Sequence, residues 1–156
     1  MAASSYFRLS IILIFILFNN LVSYSMENSK VNISLEEAVS LYKKNKLIII
    51  DVRTAKEWSM TGVIPKSILL NMHDDNNQER SNFLNELESQ LNINKNKNIA
   101  FICASGARSK IITDYLINKG HKNIYHIPDG IMGKQNDGWL FLGYPITKYT
   151  PKKEKE

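Results

Sequence analysis

The sequence holds a single cysteine, Cys103, in 156 residues, so no internal disulfide can form. Its three histidines, His73, His121 and His126, are scattered, and no Cys/His group has the spacing of a zinc site. No metal site is therefore expected, and the histidines read as incidental surface or core residues. No basic stripe is interleaved with aromatics, which argues against a nucleic-acid surface. Internal repeats and long low-complexity tracts are absent as well. The length fits one domain with a core large enough to be stable without staples. The formal charge of +5 comes in part from Arg8 and from Lys152, Lys153 and Lys155 near the end of the chain. That excess mildly favours small anionic substrates.

The longest apolar stretch, Leu9 to Phe18, is too short to span a bilayer comfortably. Arg8 precedes it, Asn19 and Asn20 end it, and Ser23 and Ser25 are small residues placed for a cut ahead of Met26. Residues 1–25 read as a secretory signal peptide, which predicts an exported protein, periplasmic or otherwise extracytoplasmic. Two alternatives stand beside it. One is an uncleaved N-terminal anchor, since apolar character resumes at Leu21 and Val22; a membrane partner is expected only in that case. The other is a true start at Met26. Export would place a lone thiol in an oxidising compartment, where it survives if sheltered in a loop or kept as a persulfide.

Beyond Met26 strand-like and helix-like segments alternate. Val31 to Ile33 is short and β-like. Ser34 opens S-L-E-E, a helix-capping signature, on a helix reaching about Asn45. Leu47 to Val52 is a continuous apolar run suited to a strand buried on both faces. Thr54 opens a second capping signature, T-A-K-E, on a short helix carrying Trp58 and broken at Gly62. A strand is predicted over Ser67 to Met72, a polar loop over His73 to Arg80, and a helix over Asn82 to Leu91. A strand at Ile99 to Ile102 precedes Cys103, a helix runs from Ser109 to Lys119 and stops at Gly120, and Asn123 to Ile127 is a last strand. The Lys-rich residues 149–156 read as a charged, flexible tail. This alternation predicts an α/β domain over residues 31–148, with a central parallel sheet and helices on both faces.

Ligands of such sheets bind at the carboxyl ends of the strands. Two informative segments converge there: Asp51-Val52-Arg53, and the stretch N-I-A-F-I-C-A-S-G-A-R from Asn98 to Arg108. Strand, cysteine, tight glycine-bearing loop and helix place a thiol among loop amides and the positive helix end, which favour a thiolate and an anion beside it. The competing reading of Cys103 is a small buried hydrophobe. Arg108 reads as anion-facing, because arginine is unfavourable near a helix N-terminus unless an anion or a carboxylate is present. Asp51 and Arg53 read as a structural ion pair supporting the site. Gly106 serves backbone geometry, and Trp58, Trp139 and Tyr144 read as packing residues.

Three blocks of the sequence resemble the single-domain rhodanese (sulfurtransferase) family. Asp51-Val52-Arg53-Thr54, Glu57-Trp58 and Gly62-Val63-Ile64-Pro65 resemble its D-V-R...E-[FW]...G-H-I-P-G-A block. Cys103 to Ser109 resembles its C-x-x-G-x-R-S active loop. Asp129-Gly130-Ile131, Gly138-Trp139 and Gly143-Tyr144-Pro145 resemble its closing G-G-x...G-W...G-Y-P block. The resemblance spans about Ile33 to Ile146. The chain departs from it at Val63 for histidine, Lys66 for glycine, Ala104 for a frequent arginine, Asp129 for the first closing glycine, and in an insertion-like segment, Gly133 to Asp137. Ala104 bears on the charge preference for the donor, and the insertion on access.

The resemblance implies a thiosulfate sulfurtransferase-like enzyme with Cys103 as nucleophile, a persulfide as intermediate, and no metal or organic cofactor. It implies that the loop Ala104, Ser105, Gly106, Ala107, Arg108 and Ser109 binds the substrate, with Arg108 helping to hold the anionic donor. The implied partners are a small anionic sulfur donor and a thiol acceptor. Two other classes stay open: a non-catalytic sulfur carrier or binding module, and a cysteine-dependent phosphatase or arsenate reductase. Four residues separate Cys103 from Arg108, one fewer than in phosphatases of similar fold. The shorter ring suits one added sulfur atom better than a tetrahedral oxyanion.

Overall fold

The computed structural model describes residues 31–151. The leader or anchor expected over residues 1–25, and residues 152–156 of the expected tail, lie outside them. Among the described residues no helix is long and apolar enough to cross a membrane.

The elements in chain order are α1 (Leu35–Lys43), β1 (Ile48–Asp51), α2 (Ala55–Thr61), β2 (Ile68–Leu69), α3 (Phe83–Ile93), β3 (Ile99–Ile102), α4 (Ala107–Asn118) and β4 (Ile124–His126). The strands form one parallel sheet in the order β2-β1-β3-β4. Pairing of Asp51 with Ile102 brings the ends of β1 and β3 to the same rim.

Alternation along the central strands sorts the core into two layers. Ile50, Val52, Ile99, Phe101 and Cys103 join Phe83, Leu87 and Leu91 of α3 and Ile112 and Leu116 of α4. Leu47, Ile49, Ala100 and Ile102 join Leu35, Ala38 and Val39 of α1 together with Ile131 and Trp139. Helices thus cover both faces of the sheet, and each fully buried Ile, Leu or Phe contributes about 1.5–3 kcal/mol. This is why β1 and β3 are unbroken apolar runs.

Both helix-start signatures are used. Ser34 Oγ accepts from the Glu37 amide at 3.2 Å, and at α2 Thr54 and Glu57 form the full reciprocal capping box. Three boundaries differ from the sequence expectation. The strand expected over Ser67 to Met72 is reduced to β2, although Leu70 and Met72 still donate to Asp51 O and Val52 O; β1 ends there, and with it the partner ladder. α4 begins at Ala107, two residues before Ser109, because Gly106 at φ 90° takes the N-cap position in the left-handed region. The first β-like segment is a single bridge from Asn32 to His126. Packing also continues beyond Lys148: the Tyr149 ring lies 5.4 Å from that of Trp58, so the expected flexible tail is anchored at its first residue.

Candidate active site

Cys103 follows β3 directly, at the rim where β1 also ends. It is 1% exposed and belongs to the apolar layer under α3 and α4. The thiol is therefore covered, which the reading of Cys103 as a small buried residue also foresaw. Alternation sets its layer: Cys103 continues the face of Ile99 and Phe101, which α3 and α4 cover.

The loop above it is rich in unspent donors. Among the described residues, the amides of Ser105, Gly106, Ala107, Arg108 and Ser109 donate to no protein acceptor, and the first intrahelical bond runs from Lys110 N to Gly106 O at 3.0 Å. Unpaired amides at a helix start form a site for negative charge. Ser105 and Ala107 are exposed, Ala104 is half-buried, and Gly106 and Ser109 are buried.

The closing segment after β4 clamps this loop. Ile131 N donates to Cys103 O and Met132 N to Ala104 O, both at 2.8 Å. The approach demands glycine at Gly130, where φ is 66° and a Cβ would lie 2.5 Å from Ala104 O. A Cβ on Gly106 would likewise collide with Pro128 O. Asp129, in contrast, does not have a positive φ, so the position tolerates the loss of glycine. Lys66 does take φ 61°, a left-handed conformation at the other position where glycine is replaced. The insertion-like Gly133 to Asp137 closes on itself: Asp137 Oδ1 accepts from the amides of Lys134 at 3.0 Å and Gln135 at 3.2 Å.

Asp51 and Arg53 form a buried pair, 0% and 1% exposed. Arg53 Nε and Nη2 reach the two carboxylate oxygens at 2.9 and 2.7 Å, while Nη2 and Nη1 also donate to Gly62 O at 2.8 Å and Thr61 Oγ1 at 2.5 Å. The pair fastens β1 to the end of α2 and presents no free charge to the rim.

Arg108 requires a correction. Its guanidinium forks onto Glu57, with Nη1 at 2.8 Å from Oε2 and Nη2 at 2.6 Å from Oε1. The partner that makes arginine acceptable in this first turn is a carboxylate, and the charge that would hold a donor anion is largely spent. The hydrogen bonds to Glu57 raise the Arg108 pKa above its usual value against the cost of burial, with smaller contributions from Glu57, Cys103 and Asp51 charge. On Glu57, burial pushes the pKa up, but the Arg108 and Thr54 hydrogen bonds outweigh it and hold the carboxyl below its usual range.

Two side chains gain importance that the sequence did not reveal. Ser109 Oγ lies 3.5 Å from Cys103 Sγ and 3.1 Å from His126 Nδ1, and is within 3.1 Å of Gly106 O. Ser109 was expected to act through its amide; its hydroxyl is what meets the sulfur. His126 was read as incidental, and no sequence signal marks it, because it reaches Ser109 only through the pairing of β4 beside β3.

Comparison with known proteins follows the same geometry. The rhodanese-like domain model matches residues 34–137. The chain belongs to the rhodanese-like domain family. It is 35% identical over 105 residues to the uncharacterized protein RP600 of Rickettsia prowazekii, covering 64% of this chain and 81% of that protein. It is 39% identical over 93 residues to a tRNA uridine(34) hydroxylase of Prochlorococcus marinus, covering 59% of this chain but 29% of that protein. In fold it is similar to Rv0390 of M. tuberculosis, with a TM-score of 0.62 and 22% identity over 76% of this chain and 97% of that one. The rhodanese-like assignment places the chain in a sulfur-transfer type of family, and the match takes in β1, the Cys103 loop and the start of the closing segment, Asp129-Gly130-Ile131.

Proposed function

We propose that this protein is a sulfurtransferase that carries a sulfane sulfur on Cys103. The observation that carries the reading is the sole thiol at the end of β3 beneath a loop whose amides from Ser105 to Ser109 have no acceptor among the described residues. The thiolate is the attacking species. Its lone pair bonds to the outer sulfur of a donor such as thiosulfate, the donor's S–S bond breaks, and sulfite leaves with that bond's electron pair. The product is a Cys103 persulfide anion, held by the loop amides. A thiophilic acceptor, cyanide in an assay or a thiol in the cell, takes the outer sulfur and returns the Cys103 thiolate. Sulfite is a stable anion and leaves without a proton, so the step needs no general acid. In this scheme Arg108 holds the loop in shape through Glu57, and the amides hold the donor's charge.

The burial of Cys103 favours a second reading, a sulfur carrier with poor turnover on small donors. Intact mass after incubation with thiosulfate tests both against the phosphatase class. A gain of about 32 Da, one sulfur atom, absent from Cys103→Ser, is expected. Turnover with cyanide then marks an enzyme, and a loaded protein without turnover marks a carrier. No mass gain, together with aryl phosphate hydrolysis lost in Cys103→Ser, would overturn the sulfur reading.

A further inference from the structure

We infer that His126 is a positioning residue that takes up a proton through Ser109 when the sulfur of Cys103 becomes anionic. The inference rests on the reading of Cys103 as the sulfur-carrying thiol. Its basis is a continuous buried chain: Sγ to Oγ at 3.5 Å, Oγ to Nδ1 at 3.1 Å, with Cys103 1%, Ser109 0% and His126 5% exposed.

The proton balance is simple. The Cys103 S–H bond breaks and its electron pair stays on sulfur. That proton bonds to Ser109 Oγ while the Ser109 hydroxyl, which donates to Gly106 O at 3.1 Å, turns to His126 and gives its proton to the lone pair of Nδ1. The products are a thiolate, an intact serine hydroxyl aimed at it, and an imidazolium. The same imidazolium faces the persulfide anion once sulfur has been loaded. A buried thiol is thereby given both a proton exit and a countercharge.

The charged groups around the chain leave that place open. On the Cys103 side Arg108 interacts with the sulfur, but its guanidinium is forked onto Glu57, and Asp51, near Arg108, is locked to Arg53. On the His126 side, α4 contributes Lys110 and Asp114, paired with each other at 2.7 Å, and the segment after β4 contributes Asp129. β3 places Phe101 beside His126 in register, which adds no charge. Burial and then Lys110 hold the imidazole below its usual pKa, with Asp114 and Asp129 pulling the other way. Burial and Lys110 both favour the neutral imidazole, whose ring keeps one nitrogen lone pair. An anion on Cys103 favours the imidazolium, and by reciprocity the imidazolium favours the anion.

Thiolate ultraviolet absorbance, read as the difference from Cys103→Ser, reports ionisation of the sole thiol without requiring a reagent to enter. His126→Asn keeps a hydrogen-bonding group and removes the titrating one. It is expected to raise the thiolate midpoint by about one pH unit, a tenfold smaller thiolate population below the midpoint. Ser109→Ala is expected to raise it as well. An independent arm uses unmutated His126: its NMR titration midpoint should rise when thiosulfate loads Cys103 and stay low in Cys103→Ser. A thiolate midpoint unchanged in His126→Asn, or a His126 midpoint indifferent to sulfur loading, overturns the inference. If His126→Asn does not fold, the NMR arm decides. Absence of any mass gain in the unmutated protein defeats the sulfur reading instead, and the thiolate titration still judges the coupling.

Discussion

Glu57 and Arg108, 51 residues apart, meet in a two-pronged ion pair in which one carboxylate serves two helices. Glu57 Oε2 accepts from the Thr54 amide at 2.8 Å, closing the start of α2, and from Arg108 in the first turn of α4. The conformation of the Cys103 loop is thus tied to a helix from a different part of the sequence. Glu57→Gln and Arg108→Ala are each expected to destabilise by about 1–2 kcal/mol, a discounted value because the pair is partly exposed. Because both cut the same tie, the double variant should cost clearly less than the sum. Persulfide formation should fall on the order of tenfold in either single variant. Urea unfolding of the four proteins in the cycle checks this; strict additivity would mean that the pair is not a coupled unit. Arg108→Lys should not restore it, since lysine cannot fork onto a carboxylate.

Replacing Cys103 tests its burial as well as its chemistry. Both Cys103→Ser and Cys103→Ala should abolish the mass gain from thiosulfate. They should differ in stability, because serine puts a hydroxyl into the layer formed by Phe101, Ile112 and Leu116. We expect serine to be the less stable of the two by about 1 kcal/mol. Equal melting temperatures would show that the sulfur position is more polar or wetter than its surroundings indicate.

The elements around the site were readable because each rests on a local rule. β1 and β3 are apolar runs covered on both faces, α2 opens on Thr54 with Glu57 in place, and the Cys103 loop is a contiguous motif. What could not be read depends on the register between segments. The Glu57 to Arg108 fork and the Ser109 to His126 contact arise only when α2, α4 and β4 are placed on the sheet. The loss of most of the Ser67 to Met72 strand has the same origin, since a strand ends where its neighbour does. Burial of Cys103 was legible in principle, as β3 is an apolar run covered on both faces and Cys103 continues it; the polar loop that follows masked it.

Backbone conformation gives a paired prediction. Gly130→Ala meets both a left-handed φ and the carbonyls of Cys103 and Ala104, so it should cost about 2–3 kcal/mol and slow sulfur loading by displacing the Ile131 and Met132 bonds. Lys66→Gly relieves φ 61° at a partly exposed turn and should gain up to about 1 kcal/mol without touching loading. Thermal unfolding and loading rates measured side by side check both. A Gly130→Ala protein that loads normally would mean the clamp on the Cys103 loop is dispensable.

The pH dependence of stability should show two separable steps. His126 is held below its ordinary value of 6.5 when folded, so between that value and the lower folded one the unfolded chain binds more protons. Stability is then full above about pH 6.5 and falls with acidification until folded His126 also protonates. Glu57 is held below its ordinary value of 4.5, so its contribution is present above that pH and is lost as pH falls through the folded value. Urea midpoints measured from about pH 8 to pH 3 should therefore decline twice. His126→Asn should remove the upper decline and keep the lower; Glu57→Gln should do the reverse. Loading Cys103 with sulfur offers a further arm, because an anion near His126 raises its folded value and should shrink the upper decline without any mutation. An upper decline that survives His126→Asn would assign it to another group and remove the stability evidence for a neutral, buried His126.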